Sequence, residues 1–488
     1  MTPEVTILWA LATPLIGVPF ILFTGWNPNV REACTLITAG VLFALVATLF
    51  PVVLAGGRPE VTLLEMVPGL SLTFKLEPLG MAFAGIASFL WIITSIYSIG
   101  YMRGHHEKNQ TRFYAFFAIA IFSAIAVAFA GNLLTLFAAY EVLSICTYPL
   151  VTHHQTEEAK KAGRIYLGVL IGASVAFFLL AIIWTWHLTG TLDFTQGGIL
   201  EGKADGPIVG VLLALYVFGV GKAAIMPMHR WLPAAMVAPT PVSALLHAVA
   251  VVKAGVFSVV KIIVYIFGYD FLFGRADSAW LVYVAGFTII VGSIIAMRQD
   301  NLKRRLAYST ISQLSYVVIA AAILAPLSVA GALLHIVAHA FGKITLFFAA
   351  GSILVASHKT EISQMKGIGR KMPWTMTAFA IGALSMIGLP PTAGFVSKWY
   401  IIQGALQAEH YAALVIIIIS TLLNAGYFLP IVYNAFFKAP EPSTDPHDDH
   451  GEAPFAAVLA LTITAGGTIL LFLFPDVPLA LARQLVGG

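Results

Sequence analysis

Apolar runs of about twenty residues, separated by short polar connections, repeat along the whole of the 488-residue chain. At about 1.5 Å of rise per residue, each run is long enough to cross a hydrocarbon core of about 30 Å. In lipid only a helix satisfies its own backbone groups without a neighbour, and strand-like alternation is absent, so the runs predict helices. They fall near residues 5–23, 34–56, 79–101, 113–130, 132–151, 165–189, 207–237, 241–268, 279–297, 306–325, 328–357, 374–406, 411–437 and 454–474. The expected fold is an all-α integral membrane protein of about fourteen transmembrane helices, solvated by the lipid bilayer.

Composition agrees: 59% of residues are hydrophobic and 10% charged, roughly the reverse of what a soluble surface requires. The net charge of +4 therefore bears on membrane topology and gives no reason to expect nucleic acid as a partner. The first run has no basic segment before it and no small-residue cleavage site, and Asn27, Pro28 and Asn29 follow it, so it reads as a retained helix. Cys34 and Cys146 lie far apart inside apolar runs, which indicates neither a disulfide nor metal–thiolate chemistry.

With fourteen spans both termini share a side, and alternate connections can be compared for basic residues. Only Arg58, Lys75, Lys203, Arg275 and Arg483 fall on the side of the termini. The opposite side holds most of the rest, including Arg103, Lys108, Arg112, Lys160, Lys161, Arg164, Arg298, Lys303, Arg304 and Arg305. The bias predicts a multi-pass protein of the cell (inner) membrane with both termini on the outer face.

Five lysines remain, all inside predicted spans: Lys222, Lys253, Lys261, Lys343 and Lys398. A lone lysine near a bilayer centre costs about 2.5–3.5 kcal/mol, so these need partners, water or neutralisation. Lys261 lies near the end of its span and is expected to snorkel to the interface. Glu141 is the only carboxylate placed well inside a run, and pairing it with a buried lysine lowers the cost of both while tuning each proton affinity. His247 adds a titratable group on the eighth span. On the eleventh, His335, His339 and Lys343 recur at intervals of four and so share one helical face. Histidine and desolvated lysine both change protonation near neutral pH, which suits a relay. HIVAH lacks the glutamate of an HExxH zinc motif and no third ligand is evident, so no metal site is expected.

Two runs do not read as unbroken helices. GVGKAAIMPMHRWLPAAMVAPTP holds Pro227, Pro233, Pro239 and Pro241, and SMIGLPPTAGFVSKWYI holds Gly388, Pro390, Pro391 and Gly394. Each break has a lysine within about two turns, Lys222 or Lys398. The chain divides on this reading into three N-terminal helices (1–102), a first five-helix unit (103–268), a second (269–438), and a loop with the last helix (439–488). Five spans reverse orientation on repetition, so the units form inverted repeats whose discontinuous helices mark an ion path near the midplane. Glu141, Lys222, His247 and Lys253 then belong to the first unit, and His335, His339, Lys343 and Lys398 to the second.

The segments NLLTLFAAYEVLSICTYPL from Asn132, MPMHRWLPAAMVAPTPVSALLHAVAVVKAG from Met226, QDNLKRRLAYSTISQLSY from Gln299 and GLPPTAGFVSK from Gly388 carry a resemblance. Over nearly the whole chain the sequence resembles the antiporter-like subunits shared by Mrp-type multisubunit sodium/proton antiporters, respiratory complex I and energy-converting membrane hydrogenases. The resemblance implies a fourteen-helix fold with two inverted units and a central polar axis. It implies Glu141 as the essential glutamate, Lys222 as the broken-helix lysine, a relay at His247 and Lys253, and Lys398 as the terminal lysine. Lysine at 398, where one complex I subunit has glutamate, and no long lateral helix after the last span resemble a D-type Mrp subunit. His247 followed by Ala248 and Val249 is more similar to A-type or complex I members, and the acid some relatives carry near Gly172 and Ala173 is missing.

Two functions follow as expectations: a proton-translocating subunit of a Na+ or K+/H+ antiporter, or the proton-pumping module of a complex I-type or hydrogenase assembly. Both require other membrane subunits as partners. With no cysteine cluster and no dinucleotide loop, no cofactor is expected, and any redox enzyme activity would reside in other chains. A third reading, a structural scaffold, does not account for so many costly buried charges. PSTDPHDDHGEAP from Pro442 reads as a solvated connector.

Overall fold

The computed structural model describes residues 1–440 and 451–487. It is nearly all helical: α1 (Pro3–Phe23), α2 (Pro28–Leu54), α3 (Pro78–Gly104), α4 (Gln110–Phe129), α5 (Leu133–Val151), α6 (Glu157–Thr189), α7 (Pro207–Gly219), α8 (Thr240–Phe267) and α9 (Ala276–Met297) make up the first part. There follow α10 (Leu302–Ala322), α11 (Pro326–Ser357), α12 (Pro373–Ile387), α13 (Ala393–Gln407), α14 (Tyr411–Phe437), α15 (Phe455–Leu473) and α16 (Asp476–Leu485). Among the described residues, 11 helices are long and apolar enough to cross a membrane, and α7 and α12 are shorter apolar helices. The chain is a multi-pass integral membrane protein.

Local chemistry sets the helix starts. Asn132 accepts from the Thr135 amide at 2.9 Å and Asn301 from that of Arg304 at 3.1 Å, each satisfying a donor that the first turn leaves free. Pro3, Pro28, Pro78, Pro207, Pro326 and Pro373 open their helices, where no amide is needed. Glu452 accepts from the Trp374 amide at 2.7 Å and the Thr375 hydroxyl at 2.6 Å, so the described end of the connector caps α12. The expectation for 442–450 lies outside the described residues.

Burial sorts the helices. The most apolar stretch of α8 is 100% buried inside the protein, whereas that of α2 is only 28% buried by its own chain. An all-round apolar helix at the centre of a bundle is where lipid never reaches. Beside α8 pass α11 and α10, the latter burying Ser309, Thr310, Ser312, Gln313 and Ser315.

The expected interruptions are present. After α7 come a short turn at Gly221–Ala223, a non-helical stretch and two further short turns over 231–237. α12 and α13 are separated by residues 388–392. Three π-type segments were not expected: Ser174–Phe178 in α6, and Leu245–Val249 and Ile263–Phe267 in α8. They leave no mark on apolar periodicity, because a single inserted residue in an all-apolar run changes nothing in the pattern.

The structure makes two corrections. Strands are present: Glu60–Val67 (β1) pairs antiparallel with Leu70–Lys75 (β2), and irregularities at Thr62/Leu64 and Glu65/Val67 break the alternation that would have announced them. Lys261 does not snorkel. It is fully buried, with Nζ 3.0 Å from a Glu77 carboxylate oxygen and donating to the Ala130 carbonyl at 2.7 Å.

Candidate functional site

At the first break the backbone turns sharply at Lys222, with Ala224 in the left-handed region at φ +54. α8 lies so close to this turn that a Cβ on Gly255 would come within 2.2 Å of the Lys222 carbonyl carbon; only glycine fits there. The Lys222 amide donates to the Tyr140 hydroxyl at 3.0 Å, and the Trp231 indole donates to the Gly221 carbonyl at 3.0 Å, fixing both sides of the turn. The buried ammonium donates to the Tyr140 carbonyl at 2.8 Å and to the Ser144 hydroxyl, and sits 3.1 Å from the centre of the Tyr140 ring. Hydroxyl, carbonyl and π face together replace much of its hydration.

Glu141 is next to Tyr140 on α5, yet no ion pair joins it to Lys222 among the described residues. Its charge is within electrostatic reach of the lysine. One carboxylate oxygen is buried without a hydrogen-bond partner, and the neighbouring Val142 and Ile145 are exposed on the outer surface of the bundle. Glu141 is therefore only partly covered by its own chain.

The second break is built differently. Gly388 ends α12 at φ +89, and the Lys398 ammonium of α13 has no carboxylate partner among the described residues; it donates to the carbonyls of Met386 at 3.0 Å and Ile387 at 2.8 Å. These are the free carbonyls at a helix C-terminus, where the aligned peptide dipoles favour a cation. The Tyr316 ring lies 4.5 Å from the ammonium.

Between the breaks the titratable groups form a chain. Lys253 Nζ is 2.7 Å from His339 Nδ1, and the rings of His339 and His335 are 6.2 Å apart. His335 contacts Ser397 Oγ at 2.9 Å through Nδ1 and Gln313 Oε1 at 3.1 Å through Nε2. Gln313 in turn donates to the Met386 carbonyl that also holds Lys398. Lys343, one turn beyond His339, donates to Ser309 at 2.8 Å, and Ser309 also accepts from Tyr427. His247 lies on the π segment of α8 against the Phe347 ring at 4.7 Å, fully buried, with neither ring nitrogen hydrogen-bonded. π segments recur at functional sites in helices.

All eight residues singled out from sequence thus border the two breaks and the helices between them. Lys253 touches His339, and His335 is tied to Lys398 through Gln313 and the Met386 carbonyl, with 6.2 Å between the two histidine rings and no hydrogen-bond partner at His339 Nε2; Lys343 and His247 flank them, while Lys222 and Glu141 stand at the first break without a direct hydrogen bond to the row. Sequence reasoning missed the neutral partners Ser144, Gln313, Ser397, Ser309 and Tyr427. A serine or glutamine in an apolar helix carries no signal of its own; the polar run STISQLS in α10 could have pointed to Ser309 and Gln313, but not to Ser144, Ser397 or Tyr427.

A many-helix membrane bundle with buried lysines at two interrupted helices and buried histidines between them belongs with the antiporter-like membrane subunits. Residues 130–424 match the family described as NADH:quinone oxidoreductase/Mrp antiporter, TM, and the chain belongs to it. It is 34% identical over 382 residues to NADH-quinone oxidoreductase subunit N of Desulforudis audaxviator, covering 77% of this chain and 75% of that one. It is 32% identical over 422 residues to a component of a probable K(+)/H(+) antiporter of Rhizobium meliloti, covering 84% of this chain but only 41% of that longer protein. In fold it is similar to a chain of the Mrp complex from Dietzia sp. DQ12-45-1b, with a TM-score of 0.89 and 21% identity over 100% of this chain and 97% of that one. A chain of an archaeal membrane-bound sulfane sulfur reductase has a TM-score of 0.84 at 23% identity, covering 99% of this chain and 97% of that one. The protein is an antiporter-like membrane subunit of the Mrp or complex I type.

Proposed function

We propose that the chain is the proton-translocating subunit of a multisubunit Na+ or K+/H+ antiporter of D-type Mrp character. Protons travel along Lys222, His247, Lys253, His339, His335 and Lys398, with Lys343 as a side branch and Glu141 as the carboxylate that sets the charge state of Lys222. The observation that carries this reading is the alignment of the Lys253–His339 contact with His335, whose ring lies 6.2 Å from that of His339 and which is tied through Gln313 to the Met386 carbonyl that holds Lys398. Every member of that alignment can hold or release a proton, or orient a group that does. The units 103–268 and 269–438 act as inverted halves, each reaching one membrane face. The face bearing most of the basic loops is cytoplasmic, both termini are outside, and the partly covered Glu141 meets a neighbouring membrane protein of the same complex.

The subunit N relative supports a second reading, in which the same row serves a redox-driven pump whose electron chemistry belongs to other chains. Inverted vesicles containing the whole complex, energised with a proton gradient and followed with a pH dye, separate the two. Cation-dependent dissipation that is lost in Lys222→Ala supports the antiporter. A wild type without cation response, acidifying instead with NADH or hydrogen, supports the pump.

A further inference from the structure

On the face that bears most of the basic loops, a carboxylate and three imidazoles converge outside the row. Glu107, in the loop after α3, lies 3.3 Å from His105 Nδ1, 3.8 Å from His153 Nε2 and 3.6 Å from His154 Nδ1. Its side chain is only 6% exposed, and one of its oxygens and both His153 nitrogens are buried without a hydrogen-bond partner. His154 is 37% exposed and opens onto a cavity of about 960 Å³ that is also lined by Glu158, Lys161, Asp300, Arg304 and Glu361. The cluster thus joins a wet, charged vestibule to a nearly buried carboxylate.

The charged groups around it come from four elements. Besides the histidines, Arg112 of α4 donates to the His153 carbonyl at 2.7 Å, and the His358 ring is 6.5 Å from that of His105. Lys303, in the first turn of α10, donates to the Ala238 carbonyl at 2.6 Å. Its charge reaches Glu107 and His105 on one side and His247 on the other.

The two ends of the cluster differ in proton affinity. Contact with the Glu107 carboxylate raises His105 above the ordinary histidine value against the opposing effect of burial. Burial pushes His153 down against the opposing charge of Glu107, and the charges of His154 and Arg112 add to the lowering. Burial alone would raise Glu107, but the His105 contact and the nearby imidazoles leave it below the usual carboxylate range. A carboxylate kept charged among imidazoles of unequal affinity attracts protons and passes them among neighbours near neutral pH.

We infer that Glu107 with His105, His153 and His154 is a proton-collecting cluster that takes protons from the cytoplasmic vestibule and concentrates them at that face for the buried row. The inference rests on the proton-translocating reading above. Each step moves one proton, from water to an imidazole and from one imidazolium to the next imidazole, the rings of His153 and His154 being 5.7 Å apart, while Glu107 stays charged between them; no bond between heavy atoms is made or broken.

Inverted vesicles expose this face to the medium, so the test is direct. Initial rates of proton movement are compared across pH in weak buffer for wild type, Glu107→Gln, His154→Gln and Lys222→Ala, with and without added imidazole. Glu107→Gln should slow transport by about tenfold at alkaline pH, where free protons are scarcest, and imidazole should restore it. His154→Gln, at a half-exposed site that tolerates change, should show a smaller loss with the same rescue, and Lys222→Ala should not be rescued. A wild-type rate and pH profile in both variants, or a loss that imidazole does not restore, would overturn the inference while leaving the row intact. A wild type that moves no protons would overturn the proton-translocating reading itself, and this inference with it.

Discussion

The two helix breaks hold a buried lysine by different means. At the first, Lys222 rests on a carbonyl, a hydroxyl and a ring from α5, with a carboxylate within reach but not in contact. At the second, Lys398 is held by two carbonyls that end its own broken helix, and no carboxylate is paired with it among the described residues. On the proposed reading, a carboxylate near Lys222 but not touching it lets the charge there respond to whatever covers Glu141, whereas Lys398, held at a helix C-terminus, responds to charge arriving along the row; the first break is then suited to control and the second to relay.

Removing either ammonium should have the largest effect. Lys222→Ala and Lys398→Ala are each expected to abolish proton movement in vesicles while the complex, followed by co-purification, stays assembled. Glu141→Gln tests the asymmetry: it should remove most transport by leaving Lys222 without its switch, and Glu141→Asp should restore part of it. A wild-type rate in Glu141→Gln would make the two breaks equivalent. Gly388→Ala sharpens the contrast, since the added Cβ would stand 2.5 Å from Lys398 Cδ at a backbone φ of +89. It should cost about 1–3 kcal/mol and lower both thermal stability of the complex and transport. Gln313→Ala should have the smallest effect, a partial slowing, because His335 keeps its contact with Ser397 when Gln313 is lost.

The fold and the charged half of the site were legible in sequence for one physical reason: lipid punishes charge, so each lysine, histidine or proline in an apolar run is conspicuous. Lys222, Lys253, Lys343 and Lys398 stood out that way, and so did the proline-rich breaks. What pairs with them did not. Glu77 sits beside Pro78 at the foot of α3, where an acid is unremarkable, and nothing local ties it to Lys261 on α8. Removing one member of such a buried pair costs about 3–5 kcal/mol, so Lys261→Ala should reduce the amount of assembled complex rather than its rate per complex. Glu107 and its histidines likewise lie in two loops that only the fold brings together. The π segment under His247 was invisible because a helix buried on all sides has no apolar stripe whose shift would reveal an inserted residue.

The central claim is that protons pass along the buried lysine and histidine row. Its most direct test is initial proton flux in vesicles carrying the complete complex with His339→Ala, which cuts the row at the Lys253 contact. The account predicts an assembled complex with proton flux lost. Assembled complex with flux at the wild-type rate would contradict it.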